Sequence, residues 1–180
     1  MFQFSIPRLP WSSFFMLQAH LVATRSTCNR GPALLFDPKR CGVGCVLVKD
    51  KRVIASGYNG APPGMPQCDD PKYGHMLVEG HCCRALHSEI NALLQCALDG
   101  TSPEGSTIYC TAMPCWDCAK ALVRSKIHRV VLGAMYDSRY DLSKKSAELL
   151  EAASIQVGML PLSLDDFLKD GVEDAENDIG

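Results

Sequence analysis

Hydrophobic positions along this chain change their spacing several times, and each change marks an element. Over "WSSFFMLQAHLVATR" (11–25), Phe14, Phe15, Leu17, Leu21 and Val22 share one broad helical face, with Ser12 or Ser13 as the expected N-cap. Residues 26–41 contain Pro and Gly and read as a connection. "GVGCVLVK" (42–49) and "RVIASGYNG" (52–60) are β-rich runs separated by Asp50 and Lys51, which predicts a hairpin. "APPGMPQCDDPKYG" (61–74) is loop by composition, and helical spacing resumes over 82–98, stopped near Gly100. Four elements follow: a strand "STIYCT" (106–111), a helix "WDCAKALVRSK" (116–126), a nearly uncharged strand "RVVLGAMY" (129–136) and a helix "SKKSAELLEAA" (143–153). A last strand, "SIQVGML" (154–160), completes the order α-β-β-α-β-α-β-α-β. After the hairpin, strands alternate with helices, so the expected fold class is α/β, a three-layer α/β/α sandwich around a five-stranded mixed sheet.

The chain has 180 residues, of which 47% are hydrophobic and 21% charged. That length supports one domain, expected over residues 1–163. Beyond it, Asp165, Asp166, Asp170, Glu173, Asp174, Glu176 and Asp178 stand against Lys169 alone, so 164–180 is expected to be a mobile acidic tail. The net charge of −2 argues against a polynucleotide partner held by bulk electrostatics. No run of 18 apolar residues occurs, and the N-terminal stretch lacks a small-x-small cleavage site, so no membrane span and a cytoplasmic location are expected. In that setting the ten cysteines point to metal ligands and buried thiols rather than a disulfide framework. Cys41, Cys45, Cys96 and Cys110 read as small core hydrophobes.

Chemistry enters at "ALHSEINALLQ" (85–95), an apolar helical pattern that nevertheless carries His87 and Glu89 near its start. Downstream, "MPCWDC" places Cys115 and Cys118 three apart at a second helix start, with Pro114 suited to a first turn. Two thiolates and one imidazole suit Zn²⁺, and three protein ligands leave a fourth position for water, the mark of a catalytic site. Glu89 then has a separate role, moving a proton beside that water. Residues two apart do not share a helix face, so His87 and Glu89 reach one site only from a first turn. HxE followed by PCxxC, each opening a helix, matches the zinc nucleobase deaminase signature. A non-catalytic zinc module is the rival reading, and Glu89 argues against it, because a structural zinc has no use for that carboxylate.

The match is wider than the zinc motif. "RSTC" (25–28), "VGCVLVKD" (43–50), "GYNGAPPG" (57–64), Cys68, "GHC" (80–82), "HSEINALLQ" (87–95), "PCWDCAK" (114–120) and Tyr136-x-x-x-Tyr140 together resemble the deoxycytidylate (dCMP) deaminases of the cytidine deaminase-like superfamily, over residues 11–160. The resemblance implies hydrolysis of dCMP to dUMP and ammonia, feeding thymidylate synthesis. It implies zinc on His87, Cys115 and Cys118 and proton transfer by Glu89. Asn59 would contact the sugar, and Tyr140, Arg25 and Ser26 the phosphate. The segment Gly57, Tyr58, Asn59 and Gly60 would bind the effector dCTP, with Mg²⁺, against dTTP as inhibitor; a plain strand-to-loop turn is the alternative. A hexamer is implied. A second, structural zinc is implied on Cys28, Cys68, His81 and Cys82, with Cys83 or His75 as substitutes because His81 and Cys82 are adjacent. The chain departs from the usual HAE at Ser88, a small-for-small change, and has a longer connection between Cys28 and Gly42. Deaminases of other cytosine, guanine or adenine substrates share the zinc core and remain alternatives.

Overall fold

The computed structural model describes residues 8–135 and 143–163. Helix α1 (Trp11–Ala23) starts at Pro10, which takes the N-cap with φ −54° and ψ 148° and makes no side-chain cap. The expected serine cap is therefore absent; Ser13 is buried inside the first turn instead. Strands β1 (Gly44–Lys49) and β2 (Arg52–Tyr58) form the expected hairpin. Its two central residues, Asp50 (φ 51°) and Lys51 (φ 57°), both adopt the left-handed region that a type I′ turn requires. A register shift between Leu47 and Val48 bends β1. Two-residue strands β3 (Leu77–Val78) and β4 (His81–Cys82) pair in a separate small hairpin. The remaining elements are α2 (Ser88–Leu98), β5 (Thr107–Cys110), α3 (Trp116–Arg124), β6 (Arg129–Leu132), α4 (Ser143–Ala152) and β7 (Gln156–Met159).

The main sheet runs β2-β1-β5-β6-β7. β1 is antiparallel to β2 and β5, whereas β5, β6 and β7 are parallel, so the sheet is mixed as expected. Alternation along the strands divides the core in two. Cys45, Leu47, Ile108, Cys110, Val130 and Leu132 pack with Ala92, Cys96, Leu122 and Leu150 of α2, α3 and α4. Val46, Val48, Tyr109 and Val131 face the other way, onto Phe15, Met16 and Ala19 of α1. Two buried faces explain why β1 reads as a continuous apolar run rather than an alternating one. Cys45, Cys96 and Cys110 are core residues as expected; Cys41 is half-buried. Among the described residues no helix is long and apolar enough to cross a membrane. The acidic segment 164–180 and the Tyr136–Tyr140 motif lie outside the described residues.

Candidate metal centre and active site

The starts of α2 and α3 meet, and both N-caps are taken by residues other than the usual Ser, Thr, Asp or Asn. His87 caps α2 (φ −75°, ψ 154°) and Cys115 caps α3 (φ −67°, ψ 168°), and neither makes a side-chain cap bond. Cap positions have extended backbone, so their side chains swing away from the helix and are free to meet across the gap. Cys118 sits one turn into α3 and Glu89 at the second position of α2. His87 thus stands at the cap and Glu89 in the first turn of the same helix. Pro114 lies one residue before the cap, fully buried, and not inside the helix.

His87 Nδ1 lies 3.3 Å from Cys115 Sγ and 3.5 Å from Cys118 Sγ. For a tetrahedral zinc with standard bond lengths, the nitrogen-to-sulfur edge is about 3.6 Å. The donor set and its spacing therefore fit zinc. The two thiols divide their charge unequally. Cys115 is held down to about 4, chiefly by the hydrogen bond from Cys118 and further by His87, against the effect of burial. Cys118, as the donor in that bond and as a buried group, is pushed well above the usual thiol value.

Glu89 is 3% exposed. Burial raises its carboxyl pKa, opposed by the charge of His87 and by a hydrogen bond from Ser88. The Ser88 hydroxyl donates to Glu89 Oε2 at 2.9 Å. The Ser88 backbone N–H donates to Asn59 Oδ1 at 2.8 Å. Asn59 is buried, and its carbonyl oxygen accepts from the N–H groups of Thr27 (3.0 Å) and Cys28 (3.3 Å). It therefore ties the loop after β2 both to the start of α2 and to the segment after α1. The Ser26 hydroxyl lies 2.8 Å from the carbonyl oxygens of Cys28 and Asn59 and is buried in this knot, whereas Arg25 beside it is exposed.

The segment 57–60 has a packing role in the same knot. A Cβ on Gly57 would lie 2.0 Å from the Ser88 carbonyl oxygen, so only glycine lets β2 run this close to α2. Gly60 exchanges two backbone hydrogen bonds with Leu86, at 2.9 and 3.2 Å. Tyr58 is exposed, and its carbonyl accepts from Asn91 Nδ2 at 2.7 Å. Tyr140 falls outside the described residues.

A second donor cluster lies across the same loop. Cys28, Cys68, His75 and Cys82 bring their ligand atoms within 4.8 Å of one another. The expected histidine was His81, and the structure brings in His75 instead. The reason is the pleat: neighbours in a strand point to opposite faces, and in β4 Cys82 is buried toward the cluster while His81 is half-exposed. Cys68 Sγ is 3.5 Å from Cys82 Sγ, and Cys28 Sγ is 4.0 Å from His75 Nδ1, near the sulfur–sulfur and nitrogen–sulfur edges of about 3.8 and 3.6 Å for tetrahedral zinc. His75 Nε2 lies 2.8 Å from Asn29 Oδ1, so a metal taken by Nδ1 would leave Nε2–H to donate to that amide. Burial raises the Cys82 thiol pKa, but hydrogen bonds from His75 and from the backbone at Ala85 and Arg84 outweigh it and bring it down to about 6. Burial pushes Cys68 up to about 12.

Two features of this region had only a faint signal in the sequence. His75 is a lone histidine in a loop with no periodic pattern. Asn59 acts through both its backbone and its side chain, which no spacing rule reveals.

Residues 9–134 match the family model described as the cytidine and deoxycytidylate deaminase zinc-binding region. ComE operon protein 2 of Bacillus subtilis (strain 168) is 37% identical over 155 residues, covering 86% of this chain and 74% of that protein. The deoxycytidylate deaminase of Saccharomyces cerevisiae is 36% identical over 83% of this chain, and the aligned part is 45% of the length of the yeast protein. In structure, the dCMP deaminase of cyanophage S-TIM5 in complex with dCMP and dUMP superposes with a TM-score of 0.66 at 27% identity, covering 82% of this chain and 95% of that one.

Proposed function

As the chain belongs to the cytidine and deoxycytidylate deaminase zinc-binding family, we propose that it hydrolyses dCMP to dUMP and ammonia. The carrying observation is the meeting of one imidazole nitrogen and two thiol sulfurs at tetrahedral spacing, with a buried carboxylate two residues from the imidazole. His87, Cys115 and Cys118 hold the zinc. Bound there, zinc supplies the activation that lets a water act as nucleophile at neutral pH. Glu89 carries the protons, first to N3 of the cytosine and later to the amino nitrogen that leaves C4. Its burial suits this task, because a raised pKa lets the carboxyl both hold and release a proton. Overall, one water is consumed, a carbonyl oxygen replaces the amino group at C4, and ammonia departs.

A nucleotide substrate is supported by the 27% identical neighbour that holds dCMP and dUMP. Asn59 has its Oδ1 committed to Ser88, so contact with the sugar falls to its Nδ2. Arg25, exposed beside this loop, and Tyr140 serve the phosphate; Ser26 is committed to the loop itself. Cys28, Cys68, His75 and Cys82 hold a second zinc in a closed four-ligand site, which fixes the loops around Asn59. The finer reading includes a cytoplasmic hexamer, activated by dCTP with Mg²⁺ and inhibited by dTTP. Resemblance supports that part, with exposed Tyr58 the side chain of its segment best placed to meet an effector.

The test is Glu89→Gln. Zinc content measured by atomic absorption should equal that of the wild type, while ammonia release from dCMP should fall by about 10²–10⁴-fold. Turnover near the wild-type rate with zinc bound would remove Glu89 from this role.

A further inference from the structure

The departure at Ser88 is more than tolerated. Ser88 is fully buried at the first position of α2, and both of its polar groups are used. Its N–H anchors it to Asn59, and its hydroxyl donates to one particular oxygen of Glu89, Oε2, at 2.9 Å. Alanine in its place would fill the same space and make no such bond. A carboxylate has two equivalent oxygens and turns about its last torsion, which is broad and two-fold. A donor fixed on the backbone of a helix start removes that freedom.

We propose that Ser88 is a positioning residue that holds Oε2 of Glu89 in a fixed hydrogen bond and so sets the orientation in which the carboxylate carries protons in the reaction. The bond survives the whole cycle. When Glu89 is ionised, Oε2 accepts from Ser88. When Oε1 holds the proton, Oε2 is the carbonyl oxygen of the acid and accepts still. The serine therefore need not rotate between the two proton transfers, and the carboxylate meets the substrate in one orientation. Preorganisation of this kind acts on the reacting geometry rather than on substrate binding. The proposal rests on the reading of Glu89 as the proton carrier.

The test uses full-length zinc-loaded protein with Ser88→Ala and Ser88→Thr. For Ser88→Ala, kcat on dCMP should fall about tenfold, with KM within about twofold and zinc content and melting temperature unchanged. Ser88→Thr restores the hydroxyl and should recover most of kcat. A wild-type kcat in Ser88→Ala would overturn the proposal. So would a rise in KM with kcat kept, which would make Ser88 a binding group. A Thr variant that folds with the wild-type melting temperature yet is as slow as the Ala variant would do the same. Crystal structures of wild type and Ser88→Ala make the test independent of the substrate. The Glu89 carboxylate should be single and ordered in the wild type and rotated or split in the variant. A carboxylate unmoved and equally ordered in Ser88→Ala would overturn the positioning role, whatever the enzyme acts on. Wild-type protein inactive on dCMP, but with the carboxylate disordered in the variant, would instead count against the substrate reading alone.

Discussion

Gly57→Ala places a methyl group where the backbone leaves no room. The new Cβ would lie 2.0 Å from the Ser88 carbonyl oxygen and 2.7 Å from the Ala92 backbone nitrogen. Both obstacles are main chain, so no side chain can swing aside, and β2 and α2 must separate by about 1 Å to reach even the tightest contacts seen in proteins. Overpacking on that scale costs about 1–3 kcal/mol. The catalytic loss should be larger than the stability loss. The displaced end of α2 carries His87 and Glu89, and a misplacement of about 1 Å can cost about 10²-fold in rate. The assay pairs urea unfolding with ammonia release from dCMP. A variant less stable by about 2 kcal/mol and slower by about 10²-fold, with or without dCTP, fits the packing argument. Wild-type stability and basal rate, with only the dCTP response lost, would refute it and make Gly57 an effector contact.

His20 on α1 should be a source of acid sensitivity. Its Nε2 is buried with no hydrogen-bond partner among the described residues, and burial lowers its pKa to about 4. The native state therefore keeps it neutral while the unfolded chain binds a proton below about 6.5, so its contribution is complete above that pH and is lost as pH falls toward 4. The full loss is about 3 kcal/mol, and His20→Gln should flatten the urea-unfolding free energy across that window; an unchanged slope would contradict this. At the second cluster, His75→Ala should lower zinc content from two ions to one and reduce the melting temperature, while His81→Ala should leave the zinc content at two. The reverse pattern would restore His81 as the ligand.

The sheet was legible because its signals are local. β1 and β6 are short apolar runs, Asp50 and Lys51 mark the turn, and the helices between later strands force parallel pairing. The grouping of His87, Cys115 and Cys118 was legible because they lie at fixed spacing on two helix starts. Boundaries were less so. Apolar spacing over 82–98 suggested one helix, yet residues 82–87 go to β4 and to the approach that pairs Leu86 with Gly60, because tertiary hydrogen bonds there outweigh local propensity. Strands β3 and β4 are two residues each, too short to show a period. The choice of His75 over His81 depends on how a loop of Pro and Gly residues folds back, which no periodicity encodes. Ser88 looked like a neutral replacement because its importance lies in one hydroxyl direction, visible only once Glu89 has a place.

The most direct measurement of the central claim is ammonia release from dCMP by the purified chain, with zinc removed by chelation and then restored. The expected result is turnover that disappears with the metal, returns with zinc, and exceeds turnover on cytidine, guanine and adenosine substrates. Absence of turnover on dCMP at full zinc occupancy, with or without dCTP, would contradict the account.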